Sequence, residues 1–247
     1  MFVNCIKIVV VLCLVYAFKP ADQPWKTIDA TVAAKELKDM QQLQVKYTKY
    51  SVNLKYFTYD TKNDEGIKDK SEGYIIKYNN CIKSRLMGIY TLQNKSLRIS
   101  IDSVKKLIQV SNPFTSEQSD FSLNDYIKIL GYCKAVKKAT VNKTTGYRFE
   151  TKNIEGVMAQ EVFLEEGIIK EANIYYANKH FVRENNTVRT EMVYPKLQVL
   201  FSNFNSNLKL TESDFNEAQI LVVQNNKTIK LTEAYRGFKL IDGRVKK

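Results

Sequence analysis

Histidine is nearly missing from this chain: His180 is the only one in 247 residues. One imidazole excludes every metal centre built from several histidines and leaves a single ring for general-base work. It stands in Asn178-Lys179-His180, which reads as a strand end or turn, and is taken as structural. Nucleophile and phosphate-binding motifs are missing too: the chain has no Gly-x-Ser-x-Gly elbow, Walker-type loop or dinucleotide fingerprint. Glu165 and Glu166 adjoin in a hairpin turn, where neighbouring side chains point apart and form no acid/base pair. Glycine (9) and proline (4) are too scarce for a collagen-like or disordered chain. These absences point to a protein that is not an enzyme and uses neither cofactor nor metal.

Acidic residues are the minority sign, 26 against 38 Lys and Arg, for a formal charge of +12. The lysines are spread along strand faces rather than massed. The basic stretches Lys134–Lys138 and Arg244–Lys247 are short and lack the interleaved aromatics of single-strand binders, so nucleic acid is not expected as a partner. Contact with an anionic membrane surface stays open. The mixed charges of Asp60–Ser71 have no metal-ligand spacing and read as a solvated loop at the tip of a long hairpin. Long apolar runs are confined to the start. Lys7, the run Ile8–Ala17 and the small-residue ending Val15-Tyr16-Ala17 make 1–17 a secretory signal peptide, with cleavage expected near Ala17. No lipoprotein pattern precedes Cys13, so residues 18–247 are expected as one exported, soluble, periplasmic domain.

What the chain has in quantity is alternation. From Tyr50 to Val110 it reads as a ladder of half-buried antiparallel strands, wet on one side. Leu54 and Tyr56 begin the apolar face, and Tyr74, Ile76 and Tyr78 continue it opposite Lys77. Ile82–Leu92 reads as one face of Ile82, Leu86, Tyr90 and Leu92 against Lys83, Arg85 and Thr91. Leu97, Ile99 and Ile101 alternate with Arg98, Ser100 and Asp102. Matching apolar to apolar favours a three-residue loop Asn79-Asn80-Cys81, setting Tyr78 opposite Ile82 and Tyr74 opposite Leu86. A two-residue turn at Asn94-Lys95 sets Leu92 opposite Leu97 and Tyr90 opposite Ile99. Ala30–Lys49 is an amphipathic helix with Ala33, Leu37, Met40 and Tyr47 near one face, capped by Thr27 or Asp29. A short second helix starts after Ser122, with Leu123, Ile127 and Leu130 as its stripe. Strands resume at 146–151, 157–164, 168–177, 187–194 and 197–201, with Pro195 expected at an edge or bulge. A tail from about residue 211 carries a turn, Ile220–Val223 and a closing Lys239–Ile241.

Cys5 and Cys13 leave with the signal peptide. Cys81 and Cys133 remain, with no cationic motif to mark a thiolate nucleophile. In an oxidising compartment they suggest one disulfide, with two buried thiols as the alternative. A loop of about 50 residues so closed contributes roughly 4 kcal/mol in the chain-entropy view.

The order of these parts resembles the LolA/LolB-like family of periplasmic lipoprotein carriers. The likeness is carried by the helix Ala30–Lys49, the ladder Tyr50–Val110 running into Ile108-Gln109-Val110-Ser111-Asn112-Pro113, and the hairpin Val162–Ile174. The tail beyond Leu210 lies largely outside it. The resemblance implies a mainly β (α+β) fold, a strongly curved antiparallel sheet or incomplete barrel with both helices packed on its concave face. That face would hold lipid, an acyl chain or a lipoprotein against Leu37, Met40, Leu54, Tyr56, Tyr74, Ile76, Tyr78, Leu86, Tyr90, Leu97, Ile99, Ile127 and Leu130. The competing expectation is an envelope scaffold that binds a protein partner through a strand edge around Thr187–Phe201.

Overall fold

The computed structural model describes residues 25–60, 66–114, 123–154, 156–184, 187–224 and 228–244, with backbone alone at 153–154 and 178–192. The expected signal peptide, the Ser122 cap, the middle of the Asp60–Ser71 loop and the His180 side chain lie outside the described residues.

A short strand, β1 (Lys26–Ile28), leads into helix α1 (Ala30–Val45). Asp29 is the cap, its carboxylate accepting from the Thr31 amide at 2.7 Å. The helix ends earlier than the expected Lys49, because β2 (Lys49–Tyr59) claims the following residues for the sheet. Hairpins then add β3 (Ile67–Tyr78), β4 (Cys81–Leu86), β5 (Ile89–Gln93), β6 (Arg98–Asp102) and β7 (Leu107–Ser111). Helix α2 (Leu123–Ile129) and a 3₁₀ turn (Leu130–Tyr132) separate these from β8 (Cys133–Val141), β9 (Thr144–Ile154), β10 (Val157–Glu165) and β11 (Ile168–Tyr176). After the detached hairpin β12 (Asn178–Glu184) and β13 (Thr187–Val193) comes β14 (Lys196–Asn205). The tail holds a 3₁₀ turn (Glu212–Phe215), the hairpin β15 (Leu221–Gln224) and β16 (Thr228–Leu231), and β17 (Lys239–Asp242).

Thirteen strands form one open sheet in the order β1-β8-β9-β10-β11-β14-β2-β3-β4-β5-β6-β7-β17. Every pairing is antiparallel except β17 on β7, which makes the sheet mixed. Strand β14 joins two hairpin arrays by pairing with both β11 and β2. The Leu197–Phe201 stretch is therefore central in the sheet and no edge, contrary to expectation. Pro195 precedes the strand, where its carbonyl accepts from the Tyr176 amide at 2.9 Å and no ladder N–H is required of it.

Three registers differ from the sequence reading. Asn79-Asn80 is a two-residue turn with Asn79 at φ 51°, so Tyr74 faces Arg85 and Tyr78 faces Cys81. Ile82–Leu92 is two strands, because Met87-Gly88 (φ 48° and 82°) forms the I′ turn that right-twisted hairpins favour. Asn94–Leu97 is a four-residue loop in which the Asn94 side chain accepts from the Ser96 and Leu97 amides at 2.8 and 3.0 Å. Leu92 consequently faces Ile99, and Tyr90 faces Ile101. The common cause is burial on both faces of this half of the sheet, which removes the wet side on which apolar matching relies.

The sheet is covered on opposite faces at its two ends. Over β8–β10, Ala33 and Leu37 of α1 and Leu123 and Tyr126 of α2 pack on Val136, Tyr147, Phe149, Val162 and Leu164. Glu36 fastens this contact by accepting from Lys138 Nζ at 2.7 Å and Tyr147 Oη at 2.6 Å. Burial works to raise the Glu36 carboxyl, but those two hydrogen bonds outweigh it and hold the group below the ordinary carboxylate value. Over β4–β7 the cover lies on the other face and comes from the tail. Phe215, Ile220, Leu221 and Ile229 are buried against Cys81, Leu92, Ile99, Ile101, Ile108 and Val110. We call these the helix-bearing and tail-bearing faces. Residues after Thr211 thus form core, with the 3₁₀ turn set by a reciprocal capping box between Thr211 and Asp214.

Where the tail-bearing face continues over β9, β10, β11 and β14 it carries a polar cluster. Glu161, 3% exposed, accepts from Arg148 at 2.6 Å, Tyr175 at 2.9 Å and Asn173 at 3.1 Å. Lys196 lies between the Tyr59 and Tyr175 rings at 5.4 and 5.5 Å.

The expected disulfide is not formed, and both cysteines are free thiols. Cys81 belongs to the tail-bearing cluster, whereas Cys133 packs in the helix-bearing one and donates to the Ile129 carbonyl at 3.3 Å. Opposite faces of one sheet keep them apart. Burial raises both thiols, so neither is an activated nucleophile.

Candidate functional site

The alternation of β2, β3 and β14 builds a third apolar cluster that belongs to neither cover. Val52, Leu54 and Tyr56 of β2 adjoin Ile75 of β3, Ile82 of β4, Val199 of β14 and Ala172 of β11. Tyr50, Leu86, Leu197, Phe201 and Phe204 border it. The register puts Leu54 beside Phe201 and Tyr56 beside Val199 across one seam, and Val52 beside Ile75 across the next, so all share the helix-bearing face. Among the described residues, every member is a strand residue. Leu54 is nonetheless 1% exposed and Val52 5%, and Phe201 at its border also packs against the helix-bearing cluster.

The floor of this strip is close-packed at Gly73. A methyl there would lie 2.1 Å from the Arg85 carbonyl oxygen and 3.1 Å from the Tyr56 ring, so only glycine lets that ring lie across β3. One end of the strip is aromatic, with Phe204 stacked on Tyr50 at 5.4 Å and edge-on to Tyr47 at 5.0 Å. Burial raises the Tyr50 phenol.

The thirteen expected ligand-contacting residues divide between the faces. Leu37, Met40, Ile127 and Leu130 pack under the helices, while Leu54, Tyr56 and Leu86 lie in the strip, all on the helix-bearing face. Ile76, Tyr78, Tyr90, Leu97 and Ile99 pack under the tail, and Tyr74 alternates with them on that side. These six and the strip therefore do not form one surface. Partial burial pushes the Tyr90 phenol up to about 12, with smaller contributions from Tyr74 and Tyr235. Val52 and Val199 were missed, although the alternation Tyr50-x-Val52-x-Leu54-x-Tyr56 and Leu197-x-Val199-x-Phe201 carried the signal, and Ile75 was missed because the apolar face was assigned to its neighbours Tyr74 and Ile76. No cluster of three or more His, Cys, Asp or Glu able to hold a metal ion occurs among the described residues. Nor is any described helix long and apolar enough to cross a membrane.

No family model and no curated protein matches the chain. Solved structures similar to it include the following two. One is a DUF1329 family protein from Desulfovibrio piger, 10% identical, covering 77% of this chain and 99% of its own, with a TM-score of 0.35. The other is a putative outer membrane lipoprotein-sorting protein domain from Vibrio parahaemolyticus, 11% identical, covering 75% and 98%, with a TM-score of 0.29.

Proposed function

We propose that the protein is a non-catalytic periplasmic carrier that holds a lipid, an acyl chain or the lipid moiety of a lipoprotein against the apolar strip. The observation that carries this reading is the strip itself: a continuous apolar cluster across β11, β14, β2, β3 and β4 whose members, among the described residues, are all strand residues. Ligand sites are concave, mostly apolar and edged by few polar groups. An acyl chain laid along the strip would gain about 0.8 kcal/mol for each buried CH₂. The secretory pattern of Met1–Ala17 supports export, and the poverty in histidine and nucleophile motifs supports a role without chemistry.

The test is native mass spectrometry of protein purified from a periplasmic fraction without detergent. The reading expects extra mass that releases as lipid on denaturation, and expects Leu86→Asp, at the half-buried border of the strip, to lose it while remaining folded. A folded Leu86→Asp variant that retains the lipid would remove the strip as its site. A lipid-free protein that co-purifies with a protein partner would replace the carrier by an envelope scaffold.

A further inference from the structure

Beyond β3 the helix-bearing face changes character. The row running from Ile75 of the strip continues as Ser84, Thr91 and Ser100, each directly opposite the last. The next row runs from Lys77 through Ile82 and Gln93 to Arg98. Neutral hydroxyls, an amide and two cations thus stand on one face, edge to edge with the apolar strip, and no carboxylate lies in either row.

Two of these groups are short of partners. The Ser84 hydroxyl is 1% exposed and has no hydrogen-bond partner among the described residues. A buried hydroxyl left so costs free energy unless something else in the site accepts or donates to it. Lys77 is half-buried with its ammonium 5.9 Å from the Tyr50 ring centre, and burial depresses its pKa, as expected of a cation with no anion beside it. Lys77 and Ser84 are diagonal neighbours on adjacent strands, about 7–8 Å apart in such geometry. Gln93 is already engaged: its amide clasps the Phe114 backbone, accepting at 3.0 Å and donating at 3.2 Å, while the Arg98 guanidinium lies 4.2 Å from the Phe114 ring centre. That clasp leaves Lys77, Ser84 and Thr91 as the groups facing the strip.

We propose that this patch binds the anionic headgroup of an amphiphile whose acyl chain lies on the strip, through the Lys77 ammonium and the Ser84 hydroxyl. The ligand class is then an anionic lipid, carboxylate or phosphate, in preference to an uncharged one of equal chain length. This rests on the carrier reading for the position of the chain, and adds the chemistry of its head.

The experiment is fluorescence displacement on the purified protein with three probes of one chain length: a fatty acid, a lysophosphatidylglycerol and a monoacylglycerol. Wild type should prefer at least one anionic probe to the monoacylglycerol by about tenfold or more, the scale of a charge-assisted hydrogen bond. Lys77→Met should erase that preference, and Ser84→Ala should reduce it in the same direction. Which anionic probe is preferred separates carboxylate from phosphate recognition. Equal binding of all three by wild type, or a preference that survives Lys77→Met and Ser84→Ala, overturns the headgroup assignment and leaves the carrier reading standing. If wild type binds none of the three, the carrier reading itself falls and the assignment falls with it.

Discussion

Phe215→Ala tests whether the tail is part of the core or merely rests on it. The ring is 0% exposed, stacks on Tyr78 at 6.4 Å and lies 5.8 Å from the Lys83 ammonium. A buried aromatic of this kind removes about 150–250 Å² from water, about 4–6 kcal/mol at 25 cal/mol/Å². Alanine keeps a fraction of that, and the site collapses in part, which brings the expected loss to about 3–5 kcal/mol. Against a total stability of about 5–15 kcal/mol for a typical domain, this is a large share. Urea denaturation of both forms measures it, and amide hydrogen exchange locates it. The β17 amides, held through a four-residue parallel pairing with β7, should lose protection first, while those of β9 and β10 fall only with global stability. A loss below about 1 kcal/mol, with β17 still protected, would refute the claim that Phe215 anchors the tail.

The Glu36 carboxyl is held low in the folded state, so it contributes stability above the unfolded value of about 4.3 and loses it as pH falls through the folded value. Glu36→Gln should therefore cost about 1–2 kcal/mol at pH 7 and progressively less as pH falls below the ordinary carboxylate range, measured as urea midpoints along a pH series; a cost that does not fall with pH would exclude the ionic contact as its source. Peptide mapping of unreduced protein should find Cys81 and Cys133 both as free thiols, and a linked pair would contradict the opposite-face placement.

The periodicity of β2, β6 and β9 was readable because each alternates apolar and polar residues, while β10 and β11 were readable as extended runs bounded by the turn at Glu166-Gly167. The Asp29 cap, the burial of Ala33 and Leu37, and the hairpin at Glu166-Gly167 (φ 51° and 80°) were equally readable. Face assignment failed where it depended on the tail. Tyr74, Ile76 and Tyr78 and, across the turn, Ile82 and Leu86 were apolar candidates for one surface, because nothing local states that Phe215 and Leu221 will cover the far side of β4–β7. That cover joins residues more than a hundred positions apart, and periodicity within a strand carries no information about it. The Met87-Gly88 turn escaped for a different reason: methionine rarely adopts a positive φ, so the residue type gave no turn signal. The strip was half legible. Its strands were identified, but the pairing of β14 with β2 was hidden behind Pro195, which reads as an edge residue and only precedes the strand.

That pairing also sets a timetable. Most ladder contacts are between consecutive hairpins, which close cheaply and early, but Tyr59 and Gln198, joined by a 2.9 Å hydrogen bond, are 139 residues apart. Strands β2–β7 and β8–β11 can each zip as a unit, and only the arrival of Lys196–Asn205 sews them together. The strip straddles that stitch, with Val52, Leu54 and Tyr56 on one side and Ala172 and Val199 on the other. The strip is therefore complete only once Lys196–Asn205, about four fifths of the way along the chain, has taken its place between β11 and β2.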